Sequence, residues 1–222
     1  ANPGGPGGGF GSGAPSGLAA SEATPLVIDG LMYIPSPYGR VVALDSTTGK
    51  EAWVYKLPTG NPSTRGVEYF AGDGVVPPSL VVGTSDNRLF LLDAKTGALN
   101  TKFGDGGFVK LDKSPTSPPI MVGNLIIVGG RVGENSGAGT PGDINAYDIH
   151  TGQKAWTFHT IPQPGEPNYG KTWADASANG RSGVNAWGAL TADIKRGIVY
   201  LPLGAPSGDL FGGDRPGDNL YG

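Results

Sequence analysis

Three stretches of the chain share one pattern of hydrophobic and polar positions. Each consists of a short apolar run, then Asp-x-x-Thr-Gly, then a second run: VVALDSTTGKEAWVYK (41–56), LFLLDAKTGALNTKF (89–103) and INAYDIHTGQKAWTFH (144–159). An Asp side chain accepts hydrogen bonds from backbone N–H groups that follow it, and glycine supplies the positive φ that closes a tight turn. The pattern therefore predicts three β-hairpins.

Another pair of strands precedes each hairpin. Turns are predicted in PLVIDGLMYI (25–34) and PIMVGNLIIV (119–128), the second unit contains SLVVGTSDNRLFLL (79–92), and a fourth unit begins at ALTADIKRGIVYLPL (189–203). Asp45, Asp93 and Asp148 are 48 and 55 residues apart. Because a four-stranded repeat of this length is typical of a propeller blade, we predict an all-β fold, a β-propeller with about three and a half four-stranded blades.

The number of blades bears on whether the ring is complete. A propeller closes its ring to protect blade faces and sheet edges, so three and a half blades predict an N-terminal fragment of a larger propeller. The alternatives are a small open β-solenoid and a four-bladed ring completed by a partner. The chain begins with Ala and has no basic-then-apolar leader, which indicates either a removed signal or a partial sequence.

The composition separates a tail from a globular body. Of 222 residues, 40 are Gly and 20 are Pro, which argues against a helical bundle because both destabilise helix interiors. The excess is greatest at the start of the chain, so residues 1–22 are predicted to be a flexible lead-in and residues 23–222 the propeller domain. The hydrophobic content of 37% argues against a wholly disordered chain.

Charge and residue types exclude several classes of function. A net charge of −3 without a basic run gives no support for nucleic-acid binding. The absence of Cys excludes disulfides, thiolate metal sites and Cys nucleophiles. The sequence has no apolar run of about 18 residues, so no membrane-spanning segment is expected within it.

Several segments carry a resemblance to a known family. The hairpin Asp-x-x-Thr-Gly-x-x-x-Trp ends in Trp53 and Trp156, with Thr101 at that position in the second copy, and it resembles the tryptophan-docking motif of eight-bladed quinoprotein propellers. Further segments are similar to dehydrogenases that depend on pyrroloquinoline quinone (PQQ): PSTRGVEYFAGD (62–73), TSPPIMVGNLIIVGGRVGEN (116–135), FHTIPQPGE (158–166) and residues 181–222. The resemblance covers residues 23–222, is strongest to the membrane-bound glucose or sugar and polyol branch, and implies an eight-bladed ring.

The resemblance implies which residues bind the cofactor. Arg65 in STRGV matches an arginine that pairs with a PQQ carboxylate, and Trp187 in GVNAWG matches a tryptophan that stacks on the PQQ ring. Arg is a planar bidentate donor for carboxylates, and a large aromatic face suits a flat ligand. Thr116 matches a hydroxyl that hydrogen-bonds PQQ. The loop that packs against the ring in the family corresponds to Arg131, Val132 and Gly133.

The metal that the resemblance implies is Ca²⁺, which prefers carboxylate and carbonyl oxygens. Glu134 in GRVGEN matches the acidic ligand, Asn135 is a second candidate beside it, and Ser207 lies where the family places another oxygen ligand. Taken alone, these residue types also have ordinary structural interpretations. Glu134 is equally compatible with a solvated loop carboxylate, Arg65 with a surface ion pair, and Trp187 with a core tryptophan.

No catalytic residue is assigned within the chain. The family's carboxylate base and the basic residue near the quinone are expected beyond Gly222. His150 is predicted to be exposed in its hairpin turn and His159 to be structural. Two departures bear on the substrate: the vicinal disulfide of methanol-dehydrogenase-like members is absent, and Phe70 stands where sugar-oxidising relatives can carry His.

The implied function is PQQ- and Ca²⁺-dependent oxidation of a sugar or alcohol, similar to glucose dehydrogenase. The expected partners are a small-molecule substrate and a quinone or other electron acceptor, and the expected location is the periplasm, with attachment to the inner membrane through a segment outside this chain. The 222-residue chain alone is expected to be inactive. The alternative is a non-enzymatic quinoprotein-like propeller that acts as a protein-interaction scaffold, which has no need of Arg65, Glu134 and Trp187. A WD-like interaction propeller is disfavoured because its Gly-His and Trp-Asp pattern is not seen.

Overall fold

The computed structural model describes residues 21–133, 138–174 and 176–222 and is built from antiparallel β-sheets. Three sheets have four strands and one has two, and strands that follow one another along the chain are neighbours in every sheet. We call the sheets blades one to four in chain order. Within the described ranges, no helical segment has the length and apolarity needed to cross a membrane.

The strand bounds are as follows. Blade one contains β1 (Leu26–Ile28), β2 (Leu31–Ser36), β3 (Arg40–Asp45) and β4 (Glu51–Lys56). Blade two contains β5 (Glu68–Phe70), β6 (Ser79–Gly83), β7 (Arg88–Asp93) and β8 (Phe108–Lys110). Blade three contains β9 (Ile120–Val122), β10 (Leu125–Val128), β11 (Ile144–Asp148) and β12 (Lys154–Phe158), and blade four contains β13 (Thr191–Asp193) and β14 (Ile198–Tyr200). The predicted three and a half blades are therefore confirmed, whereas the division at residue 22 stays a prediction because residues 1–20 lie outside the described ranges.

The three Asp-x-x-Thr-Gly turns have the same hydrogen bonds. Asp45 Oδ1 accepts from the backbone N–H groups of Thr47 and Thr48 at 3.0 and 2.7 Å and from the Thr48 hydroxyl at 2.8 Å. The equivalent bonds at Asp93 and Asp148 measure 2.8–3.1 Å. The predicted hairpins are confirmed, and the bond from the Thr48 backbone is the main reason why the pKa of Asp45 lies below its ordinary value.

The hydrophobic core lies between neighbouring blades. In blade two, Leu80 and Leu92 pack towards blade one, whereas Val81, Leu89 and Leu91 pack towards blade three. Alternate side chains of a strand point to opposite faces, so a strand between two blades is buried on both. This is why LFLL in β7 is a continuous apolar run and does not alternate with polar residues.

An aromatic side chain packs at the contact between blades one and two, and another at the contact between blades two and three. The Trp53 indole Nε1 donates to the carbonyl of Ala94 in the turn of blade two at 3.0 Å. In blade two, the fully buried Phe103 packs with Tyr147 and Ile149 of blade three. Thr101 lies in a turn, so the aromatic residue that replaces Trp in the second copy lies two positions after Thr101.

The antiparallel topology gives the blades two distinct ends. One end holds the connection between β1 and β2 and the connection between β3 and β4, together with their counterparts in blades two and three. We call it the turn end. The connections β2–β3, β6–β7 and β10–β11 lie at the opposite end, as do the links from one blade to the next; we call this the loop end. Its longer segments lie within 57–67, 111–119, 129–133 with 138–143, 159–174 with 176–190, and 201–222.

Candidate functional site

The topology brings the candidate residues to one end of the molecule. Arg65, Thr116 and Trp187 lie in links between consecutive blades, and Ser207 and the 131–133 loop follow the second strand of their blades. All of these segments belong to the loop end. The candidates therefore share one end although they come from five segments of the sequence.

Arg65 and Trp187 meet directly. The Arg65 guanidinium carbon lies 5.3 Å from the centroid of the Trp187 ring, within cation–π range. Half of the Trp187 surface is exposed (50%), which separates it from Trp53, whose exposure is 9%. The positively charged guanidinium of Arg65 thus lies beside the exposed ring of Trp187.

Glu22 is a member of this site that the sequence interpretation missed. Its carboxylate pairs with Arg65 Nη2 at 2.9 Å, and its backbone N–H donates to the carbonyl of Thr64 at 3.1 Å. The residue had been placed in the flexible lead-in, because a single Glu before the first strand belongs to no local pattern. The pair occupies one nitrogen of the guanidinium, which has five donors in all.

Two hydroxyl groups hold the backbone at Trp187. Thr116 Oγ1 and Ser117 Oγ donate to the Trp187 carbonyl at 2.7 and 2.9 Å. The Thr116 hydroxyl, predicted to face the cofactor, therefore gives its proton to the segment that carries the indole. Because a hydroxyl oxygen also has two lone pairs, Thr116 still has acceptor capacity.

The 129–133 loop is fixed against the Trp187 segment. Gly130 N–H donates to the Ala186 carbonyl at 2.9 Å, and the Asn185 side chain donates back to the Gly130 carbonyl at 2.8 Å. A Cβ at Gly129 would collide with the Ala186 carbonyl, which explains the glycine. Asn185 is buried and was not singled out from the sequence, because its partner is 55 residues away.

Of the predicted loop residues, Val132 is buried, while Arg131 and Gly133 are exposed. Arg131 is held through its backbone N–H, which donates to the Ser114 carbonyl at 2.9 Å. Val132 therefore anchors the loop in the interior. Arg131 and Gly133 are the members of the loop that a ligand can reach.

The metal candidates are only partly described. Glu134 and Asn135 lie outside the described residues, but Gly133, which precedes them, accepts a 2.8 Å hydrogen bond from the buried Ser207 hydroxyl. In the described part of the chain, no three His, Asp or Glu side chains converge to form a metal site. The oxygen atoms of Ser207 and Gly133 are hard donors of the type that Ca²⁺ accepts.

Glu68 is a titratable group at the edge of this site. It begins β5, three residues after Arg65, and its cross-strand partner in β6 is Val81. Burial among apolar neighbours raises the pKa of Glu68 to about 7, because the desolvated carboxylate is disfavoured; a hydrogen bond from the Tyr69 backbone partly opposes this shift. A substantial share of these carboxyls is therefore protonated near neutral pH.

The two histidines lie at opposite ends of the blades. His150 lies in the turn predicted for it and is partly exposed (24% of its side chain), while its Nε2 pairs with Asp73 of blade two at 2.6 Å. The carboxylate of Asp73 raises the pKa of His150. His159 is at the loop end, where its Nδ1 pairs with Asp143 at 2.9 Å, a contact in keeping with the structural role predicted for it.

These features fit a flat, anionic, heteroaromatic ligand. The half-exposed indole face of Trp187 offers stacking surface, and the adjacent Arg65 offers donors for a carboxylate. A cleft beside Trp187 is lined by Asn185, Asp209 and residues 204–207, with a volume of about 60 Å³. The ring of Trp187 and the guanidinium of Arg65 are therefore suited to bind a planar anion, whereas the cleft itself has room only for a small group.

Comparison with known proteins matches this chain to one family of propeller domains. A family model described as "PQQ: Glucose/ethanol/alcohol dehydrogenase, beta-propeller domain" matches residues 9–222. The chain is 32% identical to quinoprotein glucose dehydrogenase A of Acinetobacter calcoaceticus, over 90% of this chain and 29% of that protein. It is 31% identical to quinate/shikimate dehydrogenase (quinone) of Acinetobacter baylyi, over 89% of this chain and 28% of the relative.

Solved structures of two dehydrogenases align with most of this chain. Quinohemoprotein alcohol dehydrogenase from Comamonas testosteroni aligns with a TM-score of 0.72 at 28% identity, covering 91% of this chain and 32% of that one. A europium-containing methanol dehydrogenase aligns with a TM-score of 0.72 at 25% identity, covering 93% and 39%. The chain spans about 30% of the length of the curated relatives given above.

Proposed function

This chain belongs to the PQQ β-propeller domain family of glucose, ethanol and alcohol dehydrogenases, and we propose that its loop end binds PQQ and Ca²⁺ in an enzyme that oxidises a hydroxyl group of a sugar or alcohol. The observation that carries the proposal is the meeting of Arg65 with the half-exposed Trp187. Trp187 lies outside the repeated hairpins that contain Trp53 and Trp156, and a guanidinium lies over its ring. A scaffold that binds only proteins has no evident need for this pair.

Each residue has a defined part in this proposal. Arg65 pairs with a carboxylate of PQQ, and Trp187 supports the ring from one face. Thr116 and Ser117 hold the backbone of Trp187, so their hydroxyl groups act on the orientation of the indole. The loop of Arg131, Val132 and Gly133 closes on the ring, and Glu134, Asn135 and Ser207 supply oxygen ligands for Ca²⁺.

When bound, PQQ supplies the electron acceptor and Ca²⁺ the Lewis acid for removal of hydride from the substrate carbon. The residues of this chain bind and orient the ring, and the loop of Arg131 and Gly133, anchored by the buried Val132, excludes water from it. We assign no base for the hydroxyl proton to residues 1–222, and we place that base beyond Gly222. The chain alone is therefore expected to bind without turnover.

The substrate and the cellular setting are also proposals. Relatives are named for glucose, quinate or shikimate, and alcohols, so we propose a small polyhydroxylated or simple alcohol, with glucose as the first to test. We propose a quinone as the electron acceptor. We place the protein in the periplasm, with any membrane attachment through a segment outside this chain.

The first experiment measures PQQ binding to the protein by quenching of tryptophan fluorescence. Arg65→Met should weaken PQQ binding about 100-fold, because it removes a charge-assisted partner of a carboxylate. Arg196→Met is the matched control, since Arg196 also pairs with a carboxylate, Asp193 at 2.6 Å, but is 72% exposed on blade four. An Arg65→Met variant that binds PQQ as tightly as the control would contradict the assigned site.

The second measurement tests the reaction. The complete polypeptide, loaded with PQQ and Ca²⁺, should reduce an artificial electron acceptor when given glucose or another member of a panel of sugars, polyols and alcohols. Binding of PQQ without turnover on the whole panel would refute the dehydrogenase and leave a cofactor-binding propeller. Failure to bind PQQ at all would favour the protein-interaction scaffold.

A further inference from the structure

Two nearly buried arginines lie beneath the segment 205–214 of the loop end. The side chains of Arg181 and Arg215 are 8% and 9% exposed, and Arg is rarely buried to this degree without many partners. The segment above them forms one wall of the cleft beside Trp187. The arginines therefore contact a segment that borders the candidate site.

The partners of the two guanidinium groups are mainly backbone carbonyls. The donor–acceptor distances range from 2.8 to 3.4 Å. Arg181 donates to the carbonyls of Ser177, Ser207 and Asp214, and Arg215 donates to those of Gly208 and Phe211. Four of these five carbonyls belong to one eight-residue stretch, 207–214, so the arginines define its path.

Hydrophobic burial does not hold the outer part of this segment, 208–214, although Ser207 itself is buried (3%) and its backbone N–H donates to the Ser182 carbonyl at 3.0 Å. Leu210 at its tip is 99% exposed and Phe211 is 70% exposed. A segment of this kind, with apolar side chains in water, has little reason to keep one conformation. The hydrogen bonds of Arg181 and Arg215 supply the order that packing does not.

The charges of Arg181, Arg215 and Asp214 also indicate that the arginines fix the shape of the segment. The two arginines share one carboxylate, Asp214, which lies 2.9 Å from Arg181 and is about half exposed. The hydrogen bond from Arg181 lowers the pKa of Asp214. Burying two cations against one anion is a poor way to gain stability, since apolar residues of similar size often serve as well or better. A role in fixing the shape of the segment explains the arrangement better.

Ser207 connects the arginines to the metal candidates. Arg181 donates to the Ser207 carbonyl at 3.4 Å, and the Ser207 hydroxyl donates to the Gly133 carbonyl at 2.8 Å. Gly133 directly precedes Glu134 in the sequence. A shift of the 207–214 segment would therefore move the Ser207 oxygen and the start of the loop that carries Glu134.

We propose that Arg181 and Arg215 are positioning residues that set the Ca²⁺ affinity of the loop end by holding Ser207 and, through it, Gly133. This inference rests on the proposed function. Partners of this kind, one step removed from a metal ligand, typically change metal affinity by 10–100-fold. PQQ binding in the absence of Ca²⁺ depends mainly on Arg65 and Trp187 from other segments, with Gly133 as one further contact, and should change less than Ca²⁺ binding.

The test measures Ca²⁺ affinity by calorimetry and Ca²⁺-free PQQ affinity by fluorescence on the same variants of the protein. Arg181→Met should weaken Ca²⁺ binding about tenfold or more while PQQ binding changes less than about threefold. Arg181→Lys keeps the charge but not the planar fork and should recover only part of the loss. Arg196→Met, which breaks the exposed pair with Asp193, should leave both affinities unchanged.

A double-mutant cycle identifies the route. If Arg181 acts through Ser207, the effects of Arg181→Met and Ser207→Ala on Ca²⁺ affinity should be non-additive, because both disturb the same link. Additive effects, or a Ca²⁺ affinity in Arg181→Met equal to that of the control, would overturn the inference. If Arg181→Met fails to fold, Asp214→Asn keeps both arginines and should still weaken Ca²⁺ binding; an unchanged affinity in that variant would also count against it.

The results that would refute the proposed function differ from those that would refute the positioning role. If the unaltered protein binds neither PQQ nor Ca²⁺, the proposed site is wrong. If the unaltered protein binds both and the arginine variants match the control, only the positioning role is wrong. An equal loss of both affinities in Arg181→Met would indicate general destabilisation and would likewise contradict the specific role.

Discussion

At the turn end, Asp45, Asp93 and Asp148 each bond to groups two or three residues away, whereas at the loop end Thr116 bonds to Trp187 across 71 residues and Ser207 to Gly133 across 74. The turn end repeats one local solution in every complete blade. The two loop-end contacts differ from one another, and both depend on the blades being in place. A repeated architecture thus provides a regular support on which a single irregular site is built.

The contacts of the turn end are not all local, because its turns also contact the neighbouring blades. The Trp53 ring packs on the turn of blade two so closely that a Cβ on Gly97 would lie 2.5 Å from a ring carbon. His150 in the turn of blade three pairs with Asp73 of blade two. The local turns are therefore also the contact points between blades, and the following variants test how far each effect is local.

Gly97→Ala should have the largest effect on stability. It adds a clash with Trp53 to the strain of a positive φ of 73°, so we expect a loss of about 2–4 kcal/mol in the free energy of unfolding, measured by urea denaturation. Gly30→Ala is the matched control, since its φ is 81° but open space surrounds it, and it should lose only about 1 kcal/mol. Equal losses would show that the turn, and not the blade contact, dominates.

At the loop end, the effect of Glu68→Gln on protein stability should depend on pH. The folded-state pKa of about 7 lies above the ordinary value of 4.5, so the contribution of Glu68 to stability is fully present below about pH 4.5 and is lost as the pH rises through about 7. At pH 8 the uncharged Gln should therefore stabilise the protein by up to about 2 kcal/mol, allowing for the residual exposure of the carboxyl. At pH 4 it should have little effect.

The measurement for Glu68 is the thermal midpoint of both proteins across this pH range. Glu51→Gln, at an exposed position that begins β4, is the control. A Glu68→Gln difference that is the same at pH 4 and pH 8 would show that the carboxyl is not desolvated in solution.

His150→Gln should have the smallest effect. Hydrogen bonding to Asp73 and Asp148 raises the pKa of His150, so the stabilisation is fully present below the ordinary His pKa of about 6.5 and disappears as the pH rises through the raised folded value. Asp93 and Lys102 line the cleft beside it. The variant should lower the thermal midpoint at pH 6 but not at pH 9. Asp73→Asn should show the same pH-dependent part together with a loss at both pH values, because Asp73 also accepts from the backbone N–H groups of Val75 and Val76. A loss that is independent of pH would rule out the ion pair as its cause.

The extent to which the structure could be predicted differs between the two ends. The hairpins at Asp45, Asp93 and Asp148 were predicted correctly because an Asx-type turn is determined by a few adjacent residues. The fully buried Phe103 was missed, because only the packing of blade three shows that it takes the place of a docking Trp. The ion pair of His150 was missed for a similar reason, since its partner Asp73 is 77 residues away.

At the loop end, the resemblance named Arg65, Thr116, Trp187, Ser207 and the 131–133 loop, and the structure brings these segments to one end. Neither pattern nor resemblance named Glu22, Asn185 or the pair Arg181 and Arg215. Each of these acts on a backbone group or charge supplied by another segment. No spacing rule in the sequence encodes such a contact.

The sequence by itself determined the all-β class, the blade repeat and the turn geometry, because these depend on strand periodicity and on hydrogen bonds within a few residues. Only the tertiary structure decided that Arg65 lies over Trp187, that Glu22 pairs with Arg65, and that buried arginines hold the segment of Ser207. The physical reason is that antiparallel blades bring distant loops to one end, where contacts form between residues that the chain order separates.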